Sequence, residues 1–301
     1  MARWFRRIAY VLGTLVVLVM VLAGFVMVKS DDIVSKKYLL AAEPIAMSHD
    51  SATLARGQHL VEAITKCTDC HADDWGGKEF INDPAFMQLN ASNLTKGEGG
   101  IGNQYTDAQL ATLIRHGIKP DSTSVIIMPS DAYQDLSDSD VAAIVAYMRA
   151  QPPVNRTFSK PVLGPVAKAL TTFGQLPVFV AASVAPDRPH VATVTPGATV
   201  AYGKYLADVG GCTTCHGPGL GGGNRAAEPA DWPQSSNLTP KGIGHYTDAQ
   251  LEIALRTGKR PDGSLLKDQM PWKYTAKLTP EEMTATILYL RSVPPKEFGT
   301  R

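Results

Sequence analysis

Cysteine is scarce in this sequence, four among 301 residues, too few for a chain of this length to be a disulfide-stapled scaffold. A surplus of charge is missing as well: 29 Lys and Arg stand against 28 Asp and Glu, a formal net charge of +1. A nucleic-acid footprint needs clustered basic residues and a high isoelectric point, so that class of function is excluded. No convincing alternation of apolar and polar residues marks a strand, and the expected fold is therefore all-α. With 44% hydrophobic and 19% charged residues, the composition also excludes a disordered or fibrous chain. The length suits about two domains.

One stretch departs from this globular pattern. Ile8 to Val28 is a charge-free apolar run, and at 1.5 Å per residue it can cross a hydrocarbon core of about 30 Å. Arg3, Arg6 and Arg7 precede it, whereas Lys29, Asp31 and Asp32 nearly cancel after it. The positive-inside rule then keeps the N-terminus cytoplasmic and exports the rest, which carries a net charge of −2 beyond residue 31. A cleaved signal peptide would have a shorter apolar region ending in a small-x-small site, and Phe25-Val26-Met27-Val28-Lys29 offers none. No cysteine lies near the span, which excludes lipoprotein anchoring. The expectation is an uncleaved anchor over residues 1–30, with the remaining domains exported.

The exported part is one unit written twice. Gly57-x9-Cys67-Thr-Asp-Cys70-His71 answers Gly203-x8-Cys212-Thr-Thr-Cys215-His216, and Ser92-Asn93-Leu94-Thr95 answers Ser236-Asn237-Leu238-Thr239. The stretch from Gly100 to Leu110 answers that from Lys241 to Leu251, and the pairs Arg115 and Arg256, Met128-Pro129 and Met270-Pro271, and Tyr147 and Tyr289 follow in step. The organisation read from this is an anchor (1–30), a polar tether (31–52), a first domain (53–153), a Pro-rich segment (154–198) packed in extended form, and a second domain (199–301). Thr106-x-x-Gln109, Thr247-x-x-Gln250 and Thr279-x-x-Glu282 predict capping-box helix starts. Val141, Ile144, Val145 and Met148 predict one buried helix face. Both closing helices should stop before Pro-Pro, at 152–153 and 294–295. Gly57 with Tyr147, and Gly203 with Tyr289, should mark a close contact between the first and last helices of each unit.

Cys-x-x-Cys-His is the attachment signature of c-type haem: two thiols add to the haem vinyl groups and the neighbouring imidazole ligates the iron. Two alternatives compete. A zinc ribbon would combine two Cys pairs into one four-cysteine site, but would not explain a His after each pair. A thioredoxin-like redox pair expects a βαβ context that the sequence lacks. The repeat also bears on the sixth iron ligand. His59, His116 and His245 have no His counterpart, whereas Met128 and Met270 correspond, each before a proline that forces an extended loop. His/Met ligation raises the potential and closes the iron, as an electron carrier requires. Arg115, Arg256, Asn93 and Asn237 are candidates for propionate contacts, with a solvated helix Arg and a turn-ordering Asn as the alternatives. Trp272 is expected to pack on the ring, and Trp75 and Trp232 to anchor loops.

These residues resemble class I cytochrome c domains. The haem motif, the stretch from Asn237 to Leu251, Arg256-x-Gly258, Met270-Pro271 and the closing helix from Tyr289 to Pro295 are similar to those of membrane-bound cytochrome c subunits accompanying bacterial alcohol, gluconate and aldehyde dehydrogenases. The resemblance implies two covalent haem c groups on Cys67, Cys70, Cys212 and Cys215, with His71 and His216 as proximal and Met128 and Met270 as distal iron ligands. Those subunits carry three haem motifs where this chain has two, so quinone reduction is not carried over. The expected role is single-electron transfer from a periplasmic dehydrogenase to a respiratory acceptor, with no catalytic site in the chain itself. A shuttle between a quinol-oxidising complex and a terminal oxidase is the first alternative, and a dihaem peroxidase, which needs an open iron, the second.

Overall fold

A computed structural model of the chain describes residues 2–42, 44–224 and 232–300. It begins with α1 (Ala2–Ser35), a helix long and apolar enough to cross a membrane. Between Arg3 and Lys29 every residue but Val26 is exposed.

The first domain runs through α2 (Ser51–His59), α3 (Cys67–His71), α4 (Asp107–His116), α5 (Ser130–Tyr133) and α6 (Asp138–Arg149). In the second, α8 (Val200–Val209), α9 (Cys212–His216), α10 (Pro240–Ile243), α11 (Asp248–Thr257), α12 (Trp272–Thr275) and α13 (Pro280–Ser292) repeat the plan with one added turn of helix. All three capping boxes form, at Thr106/Gln109, Thr247/Gln250 and Thr279/Glu282. Helix α6 buries Val141, Ile144, Val145 and Met148 together and ends before Pro152. Each closing helix crosses the first helix of its unit at a glycine. A Cβ on Gly57 would collide with the Ala143 carbonyl, and one on Gly203 with the Ala285 carbonyl, while Cβ of Tyr147 and Tyr289 lies 2.8 and 2.9 Å away.

The first unit has one residue more than the second between its glycine and its first motif cysteine, and the backbone takes up the excess as a π turn (Leu60–Ile64) continuing α2. Helix α8 needs no such turn.

The fold is helix-dominated, with two features that the sequence reading did not anticipate. The first domain contains a small antiparallel sheet, in the order β1 (Lys78–Asp83), β2 (Met87–Ala91), β3 (Val162–Leu163), whose third strand comes from the Pro-rich segment. The segment expected to be wholly extended also contains a helix, α7 (Pro165–Thr172), which starts at Gly164 with proline at its first position. Met87, Leu89, Leu163, Ala167 and Phe179 form a local core there, against which Ile33 and Val34 of α1 pack.

The two domains are docked through equivalent positions. The Nη1 of Arg56 donates to the Tyr202 hydroxyl at 3.3 Å, and these residues occupy the same place in the repeat, each one before its crossing glycine. His59 Nε2 lies 2.6 Å from Glu282 of the second domain, and its counterpart Tyr205 donates 2.7 Å to Asp140 of the first. Arg56 grips Asp140 through two bonds of 3.0 and 2.8 Å and also reaches Glu282. Contacts exchanged between matched positions define a pseudo-two-fold axis. Burial raises the Tyr202 hydroxyl to about 12, so it keeps its proton. Burial opposes ionisation of Glu282, but the bonds from His59 and the Thr279 amide, with the Arg56 charge, outweigh it and hold the carboxyl below 4.5.

Candidate haem sites

Each Cys-x-x-Cys-His motif forms a single helical turn entered by a residue in the left-handed region, Lys66 at φ 56° and Gly211 at φ 75°. Each turn also exits through a positive φ, at Ala72 (61°) and Gly217 (83°). The motif histidines are fixed in the same way: Nδ1 of His71 donates to the Ser92 carbonyl at 2.8 Å, and Nδ1 of His216 to the Ser236 carbonyl at 2.7 Å. A carbonyl only accepts, so Nδ1 carries the proton and Nε2 keeps its lone pair for a metal. Desolvation pulls His71 below its ordinary 6.5, with the Ser92 bond opposing, which keeps the ring neutral.

A cavity of about 370 Å³ opens beside the first motif, lined by Cys67, Cys70 and His71 on one side, Met128 and Pro129 on another, and mostly apolar side chains between them. Burial pushes the Cys67 thiol up to about 11. The methionine loops match closely. In both, the amide two residues on donates to the Met carbonyl, at 2.9 Å for Met128 and 2.8 Å for Met270. Pro129 (φ −80°, ψ 51°) and Pro271 (φ −79°, ψ 55°) then lead into α5 and α12.

The four propionate candidates all bond to protein groups, and their bonds to backbone carbonyls recur in both units, whereas the carboxylate partners of the arginines differ. Arg115 donates to the Leu136 carbonyl and pairs with Asp138 at 2.6 Å; Arg256 donates to the carbonyls of Ala276 and Leu278 and pairs with Glu252. Since Leu136 and Leu278 are equivalent, both arginines brace the segment that follows the methionine. Asn93 donates 2.7 Å to the Val154 carbonyl and Asn237 2.7 Å to that of Lys296, just beyond each Pro-Pro. Their Oδ1 atoms accept from the amide and hydroxyl of Thr95 and Thr239. Trp75 is buried edge-on against Tyr147, Trp232 is exposed, and the Trp272 indole lies against Gly258. Sequence reasoning missed Ser92 and Ser236, although the repeated Ser-Asn-Leu-Thr that holds them was visible.

The two motif segments touch across the domain boundary. Lys66 Nζ donates to the Gly210 carbonyl, and the Thr214 hydroxyl donates to Asp131 at 3.4 Å. Among the described residues no three or more His, Cys, Asp and Glu side chains gather into a metal-binding group, as a four-cysteine zinc site would require.

Two family profiles match the chain: cytochrome c oxidase, cbb3-type, subunit III over residues 52–148, and cytochrome c over residues 200–294. The chain belongs to the c-type cytochromes. Domains of this family carry covalently bound haem c, and the thiols, the imidazoles oriented by backbone carbonyls and the apolar cavity suit that group. Among its relatives are the fructose dehydrogenase cytochrome subunit of Gluconobacter japonicus, 30% identical over 84% of this chain and 55% of that protein, and the alcohol dehydrogenase (quinone) cytochrome c subunit of Gluconobacter oxydans, 27% identical over 83% and 56%. This cytochrome thus spans about half the length of those two. A diheme cytochrome c-type protein of Cereibacter sphaeroides is 25% identical over 80% of this chain and 86% of its own length.

Proposed function

We propose that this protein is a membrane-anchored dihaem cytochrome c that accepts single electrons from a periplasmic dehydrogenase and passes them to a respiratory-chain component. In this reading Cys67 and Cys70 hold one haem and Cys212 and Cys215 the other, with axial pairs His71 and Met128, and His216 and Met270. The observation that carries it is the identical tethering of both histidines by a backbone carbonyl, which aims two imidazoles for one task. A bound haem supplies a reversible one-electron iron couple. The chain's part is to hold each imidazole neutral and oriented, to bring a thioether over from the braced Met loop, and to exclude water with apolar walls. The contact between the motif segments supports electron passage within the chain. Helix α1 holds both domains at the outer face of the inner membrane, keeping them near membrane partners.

Met128→His and Met270→His, made separately, test the assignment. Each should abolish about half of the near-infrared Met-to-iron absorption of the oxidised protein, since one of two thioether ligands is lost. Loss of neither half overturns the ligand choice. Co-purification with a dehydrogenase subunit supports the donor; isolation with a quinol-oxidising complex instead replaces it with the shuttle.

A further inference from the structure

Helix α7 lies antiparallel to the upper part of α1, and its contacts give its height against the span. Midway along it, Lys168 pairs with Asp31 at 3.0 Å. At its end, the Thr172 hydroxyl donates to the Val26 carbonyl at 3.3 Å. Four residues along α7 thus correspond to five back along α1, so α7 descends toward the apolar run. Val26 is a member of that run, about 3 Å of helix rise inside its outer end at Val28, and it is the one residue from Arg3 to Lys29 that is partly covered.

The faces of α7 divide cleanly. Ala167 and Thr171, one turn apart, are buried toward the local core. Val166, Leu170 and Phe173, spaced as one helix stripe, point away from it, with Val166 48% and Phe173 56% exposed. The lower end of this stripe, at Phe173, is level with the hydrocarbon-spanning run and faces lipid and not bulk water, while Val166, level with residues 33–34 and about 8 Å beyond Val28, lies at headgroup height.

We propose that α7 and the turn after it form a second membrane contact, with Val166, Leu170 and Phe173 seated in the outer boundary between headgroups and acyl chains. This rests on α1 being the anchor. Together with α1, the contact makes a two-point mount. Because Leu89 of the same local core also lines the first haem cavity, as does Pro161 just before β3, the mount sets the first domain against the bilayer.

The test uses the full-length holoprotein in phospholipid nanodiscs, with the photocrosslinker p-benzoyl-phenylalanine replacing Phe173, Val166, Leu15 or Leu265 one at a time. All four positions are exposed, so folding is not at stake. Mass spectrometry should find about tenfold more lipid adduct at 173 than at 265, approaching that at 15, with a smaller but clear excess over 265 at 166, as a stripe running from the acyl chains up to the headgroups requires. Adduct at 15 with only the background of 265 at 173 and 166 overturns the second contact and leaves the anchor standing. No adduct at 15 overturns both. A protein crosslink in place of lipid at 173 in native membranes assigns the stripe to a protein partner and also overturns the proposal.

Discussion

The two domains share a backbone but not the residues that suit it. At the entry and exit of its haem turn the second domain uses Gly211 and Gly217, while the first asks Lys66 and Ala72 to adopt the same positive φ. Such conformations cost a side-chain-bearing residue roughly 1–3 kcal/mol each. The first domain is also the one with the π turn, the sheet and the mount on α1. The haem turn is therefore the fixed quantity, and the first domain meets it under strain while its surroundings are elaborated.

The largest effect should test what the domains hold in common. Gly57→Ala and Gly203→Ala each drive a methyl into a backbone carbonyl and should each destabilise their domain by about 3 kcal/mol in denaturant titrations. Tolerance of one alone would show that the helix crossings are not equivalent. Next comes the docking between them. Glu282→Gln removes the charge facing Arg56 and His59 and should weaken domain docking by about 2 kcal/mol, less than for a fully buried pair because both partners are partly solvated. The Glu282 pKa is lowered in the folded state, so its contribution is present above the ordinary 4.5 and is lost as pH falls through the lowered value. Acid should therefore split the unfolding of the wild type into two transitions, whereas the Gln variant should show the split already at neutral pH. The smallest effect is a gain: Ala72→Gly should stabilise the first domain by about 1 kcal/mol, and Gly217→Ala should destabilise the second by a similar or larger amount in the same assay.

Much of this architecture was written in side-chain patterns. The repeat, the three capping boxes, the buried face of α6, the stops before Pro-Pro and the paired glycines all depend on residue types recurring at fixed spacing. What was hidden depends on other things. Strand β1 exposes most of both faces, and although Met87-Gln88-Leu89-Asn90-Ala91 of β2 does alternate apolar with polar, it does so over only five residues, too short a run to stand out. Helix α7 has no side-chain cap and is held by tertiary contact. The acceptors for His71 and His216 are backbone atoms, which leave no signature of their own. The domain interface was masked by dissimilarity: His59 opposite Tyr205 in the repeat reads as a failed ligand pair, yet that mismatch is what lets each meet a carboxylate on the other side. Asn93 and Asn237 each tie the segment beyond their closing helix to the Ser-Asn-Leu-Thr loop.

The Arg56–Tyr202 contact has a further consequence. Two halves that meet through corresponding positions reproduce, inside one polypeptide, what separate copies reach only by mass action. Dilution cannot part them, and the spacing of the two Cys-x-x-Cys-His turns is the same at one molecule per membrane as at a thousand.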